Sequence, residues 1–321
     1  MKRNLKPNHF LFVILITVIF FSCSSDDVEI VSIKPIISNV EVGLNDNEIG
    51  VVGRDFHLNA KIIAGDKIDL AQIKIEPIEG ESYASPWNFE LNWDEYKGVK
   101  NATIHKHFDI PEDAVEGYYS FTIIVNDENG TTLEEKRNIT IYKAENLPVD
   151  PKLTEFTVAA RSDSYRVLYI HTLGGYRDPE TQEYGNYNVY IDNAETLDVA
   201  VNLSGIKDDG QIYILLINKK HNHRPESISS IDFTKSIVVD VFEHTNLEQT
   251  DRWSNINFER PNFPNLSKLL IGASVDNNLP NPNKISDVKG WESGDYYVGF
   301  IYKNTTHNIS LFHYIEVALS I

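Results

Sequence analysis

Two histidines one residue apart, His105 and His107, are the side chains of this sequence best placed to do chemistry. They lie in Ile104-His105-Lys106-His107-Phe108, whose alternation predicts a β-strand. Successive side chains of a strand point to opposite faces, so both imidazoles share one face, roughly 6.5–7 Å apart at the backbone. Ile104 and Phe108 take the other face and can pack inward. Neutral imidazole nitrogen binds zinc at about 2.0–2.1 Å, and two such rings can converge on one divalent ion. Two ligands are too few for a stable site. His57 offers a third, on the outward face of its own strand between Phe56 and Leu58. Zinc, copper or nickel would accept these nitrogens. On spacing alone, the pair reads first as two solvated histidines on a strand face.

Other constellations carry less. His221-Asn222-His223 is flanked by Lys219, Lys220 and Arg224, whose charges disfavour a cation, and reads as a solvated loop tip. Aromatic residues cluster around Gly174-Gly175-Tyr176, Tyr184-Gly185-Asn186-Tyr187 and Tyr190, with Trp253 and Trp291 elsewhere. Tyr176, Tyr184, Trp253 and Trp291 are candidate faces for a sugar ring or a peptide. Strand tyrosines and tryptophans that simply pack a sandwich fit the same pattern. Asp127-Glu128-Asn129-Gly130 lacks the acidic spacing of a calcium loop and reads as a hairpin turn. The sequence has no nucleophile elbow, no H-E-x-x-H, no phosphate loop and no dinucleotide fingerprint. A non-catalytic binding protein is the expectation.

The elements that must position these side chains read as β throughout. Phe56–Ile62, Ile73–Glu76 and Tyr119–Val125 alternate apolar and polar residues, Asn129-Gly130 marks a hairpin, and Asn138–Tyr142 closes the set. Short strands with turns about every ten residues over 33–143 predict an immunoglobulin-like β-sandwich. Two prolines and several charges over 144–152 predict a linker. Residues 153–321 carry further strands at Tyr165–His171, Tyr187–Ile191, Leu197–Leu203, Gln211–Asn218, Ser236–Phe242, Lys268–Ala273, Tyr296–Tyr302 and Ile309–Leu319. They predict a second, larger β-sandwich or jelly-roll-like domain. The fold class is all-β.

The N-terminus predicts an address. Lys2, Arg3 and Lys6 precede an apolar run from Phe10 to Phe21, which is the length of a signal-peptide core and short of the roughly 20 residues that span a bilayer. Ser22-Cys23 follows, resembling a bacterial lipobox, with Phe20 and Phe21 bulkier than usual. Residues 1–22 are thus a signal peptide, Cys23 the lipidated residue carrying acyl chains such as palmitate, and 23–32 the tether. Cys23 is the only cysteine, so no disulfide can staple the fold. Ser24-Ser25-Asp26-Asp27 is either a plain polar tether or a tag for export to the cell surface. Cleavage removes three of the 29 basic residues and leaves 26 against 47 acidic, taking the formal charge from −18 to −21. Such a surface repels phosphate backbones and argues against a nucleic-acid partner. The expected partners are the outer membrane, through the lipid, and an outer-membrane transporter.

Residues from about Gly53 to Gly130 resemble the immunoglobulin-like lipoprotein module known as domain of unknown function 4625. The segments that carry the resemblance are Gly53-Arg54-Asp55-Phe56-His57-Leu58, Ala64-Gly65-Asp66-Lys67-Ile68, His105-Lys106-His107-Phe108-Asp109-Ile110-Pro111, Ala114, Gly117-Tyr118-Tyr119 and Asp127-Glu128-Asn129-Gly130. Such modules typically show an early-strand histidine, H-x-H-x-x-I-P, and G-x-Y-H before a final D-x-x-G-N. This chain keeps His57, His105 and His107. It has Ser120 where a fourth histidine is common, and Thr131 after Gly130. The resemblance implies a sandwich fold and favours a divalent metal, zinc or copper, at His57, His105 and His107. The resulting expectation is an accessory lipoprotein for uptake of a metal ion or metal complex. The alternatives are a glycan- or peptide-binding surface protein, or a structural adhesin or spacer.

Overall fold

The computed structural model describes residues 32–250, 252–255 and 267–321. The expected signal peptide, Cys23 and nearly all of the expected tether lie outside the described residues. Residues 33–321 form one compact unit. Among the described residues there is no α-helix, only strands and single 3₁₀ turns.

The first eight strands are β1 (Ile36–Val42), β2 (Ile49–Val51), β3 (Asp55–Ile63), β4 (Ile68–Pro77), β5 (Phe89–Asn92), β6 (Asn101–Asp109), β7 (Gly117–Asp127) and β8 (Thr132–Tyr142). They build an immunoglobulin-like sandwich from a three-stranded sheet, β1-β3-β6, and a five-stranded sheet, β2-β8-β7-β4-β5. The pairing is antiparallel except for β2 on β8. Alternation decides what faces inward. Phe56, Leu58 and Ile62 of β3 meet Ile73 and Ile75 of β4 and Phe121, Ile123 and Val125 of β7, all fully or almost fully buried. Burial of each such side chain stabilises the fold by roughly 1.5–3 kcal/mol. The expected turn at Asn129-Gly130 forms the β7–β8 hairpin, where Gly130 takes φ 84°, a conformation that favours glycine.

Residues 143–151 connect the halves, with Val149 buried and Asp150 paired with Arg54. The remaining strands are β9 (Lys152–Arg161), β10 (Tyr165–Ile170), β11 (Gly175–Arg177), β12 (Tyr184–Gly185), β13 (Tyr190–Asp192), β14 (Thr196–Ser204), β15 (Ile206–Asn218), β16 (Ser236–Thr250), β17 (Trp253–Ser254), β18 (Ser267–Leu270), β19 (Gly294–Asn304) and β20 (Ile309–Ser320). One sheet runs β12-β11-β10-β9-β14-β17 with β18 also on β14, and the other runs β13-β20-β19-β15-β16. A second core lies between them, around Phe156, Val199, Ile214, Val298 and Phe300. The two large cores share no residue. A third, smaller cluster sits around Leu215, Val238, Ile301 and Tyr314, where Ile228, Ile231 and Phe233 of the β15–β16 connection pack on β15, β16, β19 and β20.

Candidate metal centre

β3 and β6 pair in the register that sets His57 opposite His107 and Asn59 opposite His105. The inward faces of these strands carry Phe56, Leu58, Ile104 and Phe108, so the three imidazoles all stand on the outer face of the three-stranded sheet. Their ring centroids lie 5.0–5.6 Å apart. The outward face expected for His57 is correct, yet its side chain is only 5% exposed. What covers it comes from the second sandwich: Glu226, whose side chain is 15% exposed and whose Oε2 lies 3.0 Å from His107 Nε2, 3.5 Å from His57 Nδ1 and 3.9 Å from His105 Nε2.

The resulting set is His57, His105, His107 and Glu226, with one ligand atom from each and all four within 4.8 Å of one another. A tetrahedral zinc with bonds of about 2.0–2.1 Å needs its donors about 3.3–3.4 Å apart. The distances from Glu226 bracket that separation, and His57 Nδ1 and His107 Nε2 are 3.4 Å apart. Three imidazoles and one carboxylate suit zinc, and copper or nickel also accept such nitrogens.

Further carboxylates orient the rings from behind. Asp55 Oδ2 lies 2.6 Å from His107 Nδ1, so that nitrogen can donate to it and leave the Nε2 lone pair facing the cluster. Glu41 Oε2 stands 3.8 Å from His57 Nε2. Burial alone would push the His57 pKa down, but the carboxylates of Glu226 and Glu41 push it up to about 9. Burial pushes His105, the most exposed of the three rings, down. Burial would raise Glu226, but its three histidine neighbours hold it below the usual carboxylate range.

Glu226 is held from both sides. Tyr314 Oη donates to the carbonyl of Pro225 at 2.7 Å. The 3₁₀ turn Ile228–Ser230 follows at once, closed by Ser227 and Ser230. Ser229 Oγ then donates to Asn45 Oδ1, and Asn45 Nδ2 to Asn308 Oδ1, both across to the other sandwich at 2.6 Å.

No comparable gathering occurs among the four aromatic candidates. Trp253 is buried and packs edge-on against Phe242. Trp291 is half-buried, with its Nε1 donating to the Ala273 carbonyl. Tyr176 packs against Tyr169 and accepts the Glu316 N–H. Tyr184 lies on the short edge strand β12. Tyr176 and Tyr184 lie on the paired strands β11 and β12, Trp253 on β17 and Trp291 just before β19. Glu226 itself was missed from sequence. It lies 119 residues beyond His107, just past a histidine-containing segment whose positive flanks pointed away from metal.

Comparison with known proteins assigns the half of the molecule that supplies the three histidines. Residues 21–142 match the model of the family described as Domain of unknown function (DUF4625). The first sandwich is a DUF4625 domain. The match ends at the last residue of β8, so Glu226 falls outside the DUF4625 region. No curated protein matches the sequence. Among solved structures, dimeric latent PorU from Porphyromonas gingivalis is similar at 7% identity and TM-score 0.29, over 92% of this chain. The chain spans 21% of the length of that protein. A tetra-tandem repeat in the extending region of a large adhesion protein is similar at 9% identity and TM-score 0.23, over 89% of this chain and 74% of that one.

Proposed function

We propose that the protein is a non-catalytic cell-envelope lipoprotein that binds a divalent metal ion, zinc by its donor set, through His57, His105, His107 and Glu226. In this reading it serves as an accessory protein for metal uptake, held at the outer membrane by acyl chains on Cys23. The observation that carries the metal reading is the convergence of four donor atoms from two sandwiches within 4.8 Å of one another. Four protein donors complete a tetrahedral shell, whereas catalytic zinc sites keep a position open for water or substrate. That contrast supports binding over turnover. The anchor reading is supported by the positive start, the apolar run and Ser22 before the only cysteine.

Metal analysis of the purified soluble chain, begun at Ser24, is the test. We expect about one equivalent of zinc after loading and desalting, and none in the His57→Ala, His105→Ala, His107→Ala triple variant. Equal metal content in both proteins would overturn the proposal.

A further inference from the structure

A second concave site lies in the C-terminal sandwich, independent of the histidines. The β9–β10 hairpin, the loop after β11 and the start of β13 enclose a cavity of about 210 Å³. Its walls include Tyr165, Arg166, Arg177, Gln182, Asn188 and Tyr190. That volume is below the roughly 300–1,000 Å³ of sites for drug-sized ligands and suits a single small ring.

Three features give it chemistry. The first is a pair of half-exposed tyrosines: Tyr165 is 52% exposed and Tyr190 51%, each with an arginine over one face of its ring. Both rings are held in place. The Arg161 guanidinium lies 5.1 Å from the Tyr165 centroid, and that of Arg166 lies 5.2 Å from the Tyr190 centroid. Rings fixed before a ligand arrives lose less entropy on binding. The second is the state of the cations. Arg161 is bound to Asp198, and Arg166 to Glu195 and the Tyr190 carbonyl. Arg177 has no carboxylate partner among the described residues, although acidic residues far outnumber basic ones in the chain. The acid beside it, Asp178, is turned to the backbone N–H groups of Glu180 and Thr181 at 2.8 and 2.7 Å. The third is a pair of carboxamides on exposed side chains that line the cavity, Asn188 and Gln182, the latter with its Nε2 donating to the Pro179 carbonyl and its oxygen left as acceptor.

Exposed tyrosine faces match the apolar face of a sugar ring, and carboxamides match its hydroxyls. An unpaired guanidinium fits a carboxylate, which it can bind with two parallel hydrogen bonds. We propose that this pocket binds a carboxylate-bearing pyranose, the uronate residue of an acidic glycan, with Arg177 on the carboxylate and Tyr165 and Tyr190 on the ring.

The test is titration calorimetry with trigalacturonate and with its neutral counterpart galactotriose, on the whole soluble chain in EDTA. The chelator removes any uronate binding through a metal at the histidines. Trigalacturonate is expected to bind at least tenfold tighter than galactotriose. Arg177→Ala should abolish that preference by weakening the acid roughly 10- to 100-fold, as for loss of a charged hydrogen bond. Tyr190→Ala should weaken both sugars. Because Arg177 pairs with no carboxylate, the unfolding midpoint of Arg177→Ala should match that of the wild type, and that of Tyr190→Ala should fall only by the small contribution of its contact with Arg166. Equal affinity for the two sugars, no measurable binding of either, or an Arg177→Ala variant that keeps its preference would overturn the proposal.

Discussion

Removing Glu226 separates the metal reading most sharply from a cluster of surface histidines. The carboxylate is the one donor supplied by the second sandwich. Structural zinc is held by about 10–16 kcal/mol through four ligands, so one ligand carries about 3 kcal/mol, a loss of about a hundredfold in affinity. Glu226→Ala should therefore raise the zinc Kd about a hundredfold, read by competition against a chromophoric chelator. The same loss appears in stability. At free zinc 1,000 times the wild-type Kd, linkage stabilises the native protein by about 4.1 kcal/mol; a hundredfold weaker variant, now at 10 times its Kd, gains only about 1.4 kcal/mol. Unfolding with and without zinc measures that difference. It is insensitive to any metal-independent cost of the substitution, which matters because His57 would keep only Glu41 as a carboxylate neighbour. A variant that binds zinc within twofold of wild type, while the triple-histidine variant binds none, would show that the histidines hold the ion without Glu226.

Two further outcomes follow from the geometry. Asp55→Asn leaves all four donors in place but weakens the acceptor that fixes the His107 ring, so zinc affinity should drop about 10- to 100-fold by the same competition titration. His313 supplies a pH dependence: burial, then His171 and Arg224, push its pKa down to about 4, and its Nε2 is buried without a partner. The unfolded chain binds this proton from about pH 6.5 downward, so folding stability is lost as pH falls from about 6.5 to 4. His313→Phe, whose ring fits against Phe156 and Tyr169, should flatten that part of the wild-type curve of unfolding free energy against pH. An unchanged slope would count against the burial argument.

Much of the first sandwich was legible because its side chains alternate. Phe56-His57-Leu58 and Ile104 to Phe108 show which residues face in, and that alone places three imidazoles on one outer face. Alternation does not say what lies over that face. His57 is buried by a loop from the other half of the chain, whose approach depends on Tyr314, Ile231 and Phe233 packing on a separate sheet. No local pattern around Glu226 encodes that approach. In the second half, long apolar strands such as β14, β15 and β19 were readable; β9 was overlooked although Phe156-Thr157-Val158 alternates and favours a strand, because the run follows directly on the proline-containing connection. Tyr187–Ile191 was expected as one strand, yet only Tyr190–Asp192 pairs, parallel to β20. Aromatic residues misled for a related reason: type alone does not separate Trp253, packed on Phe242, from Tyr165 and Tyr190, left in solvent beside arginines.

The position of the histidines says something about what the site is for. Each sandwich has its own core; near the site Asn45 bonds Asn308 and Ser229 across the seam, Arg54 holds Asp150 of the connection, and apolar residues of both halves, among them Val51, Leu311 and Phe312, line a shared cavity. The donor set spans that seam, with three ligands on β3 and β6 and one on the loop after β15. A metal bound there would tie the two cores by a closed shell that leaves no position for a reacting water. Release would then require Glu226 to withdraw, and withdrawal is opposed by the Tyr314–Pro225 and Ser229–Asn45 hydrogen bonds on either side of it. If the site holds an ion as proposed, its retention or release is therefore set by the loop that carries Glu226, through the Tyr314–Pro225 and Ser229–Asn45 hydrogen bonds that fix it.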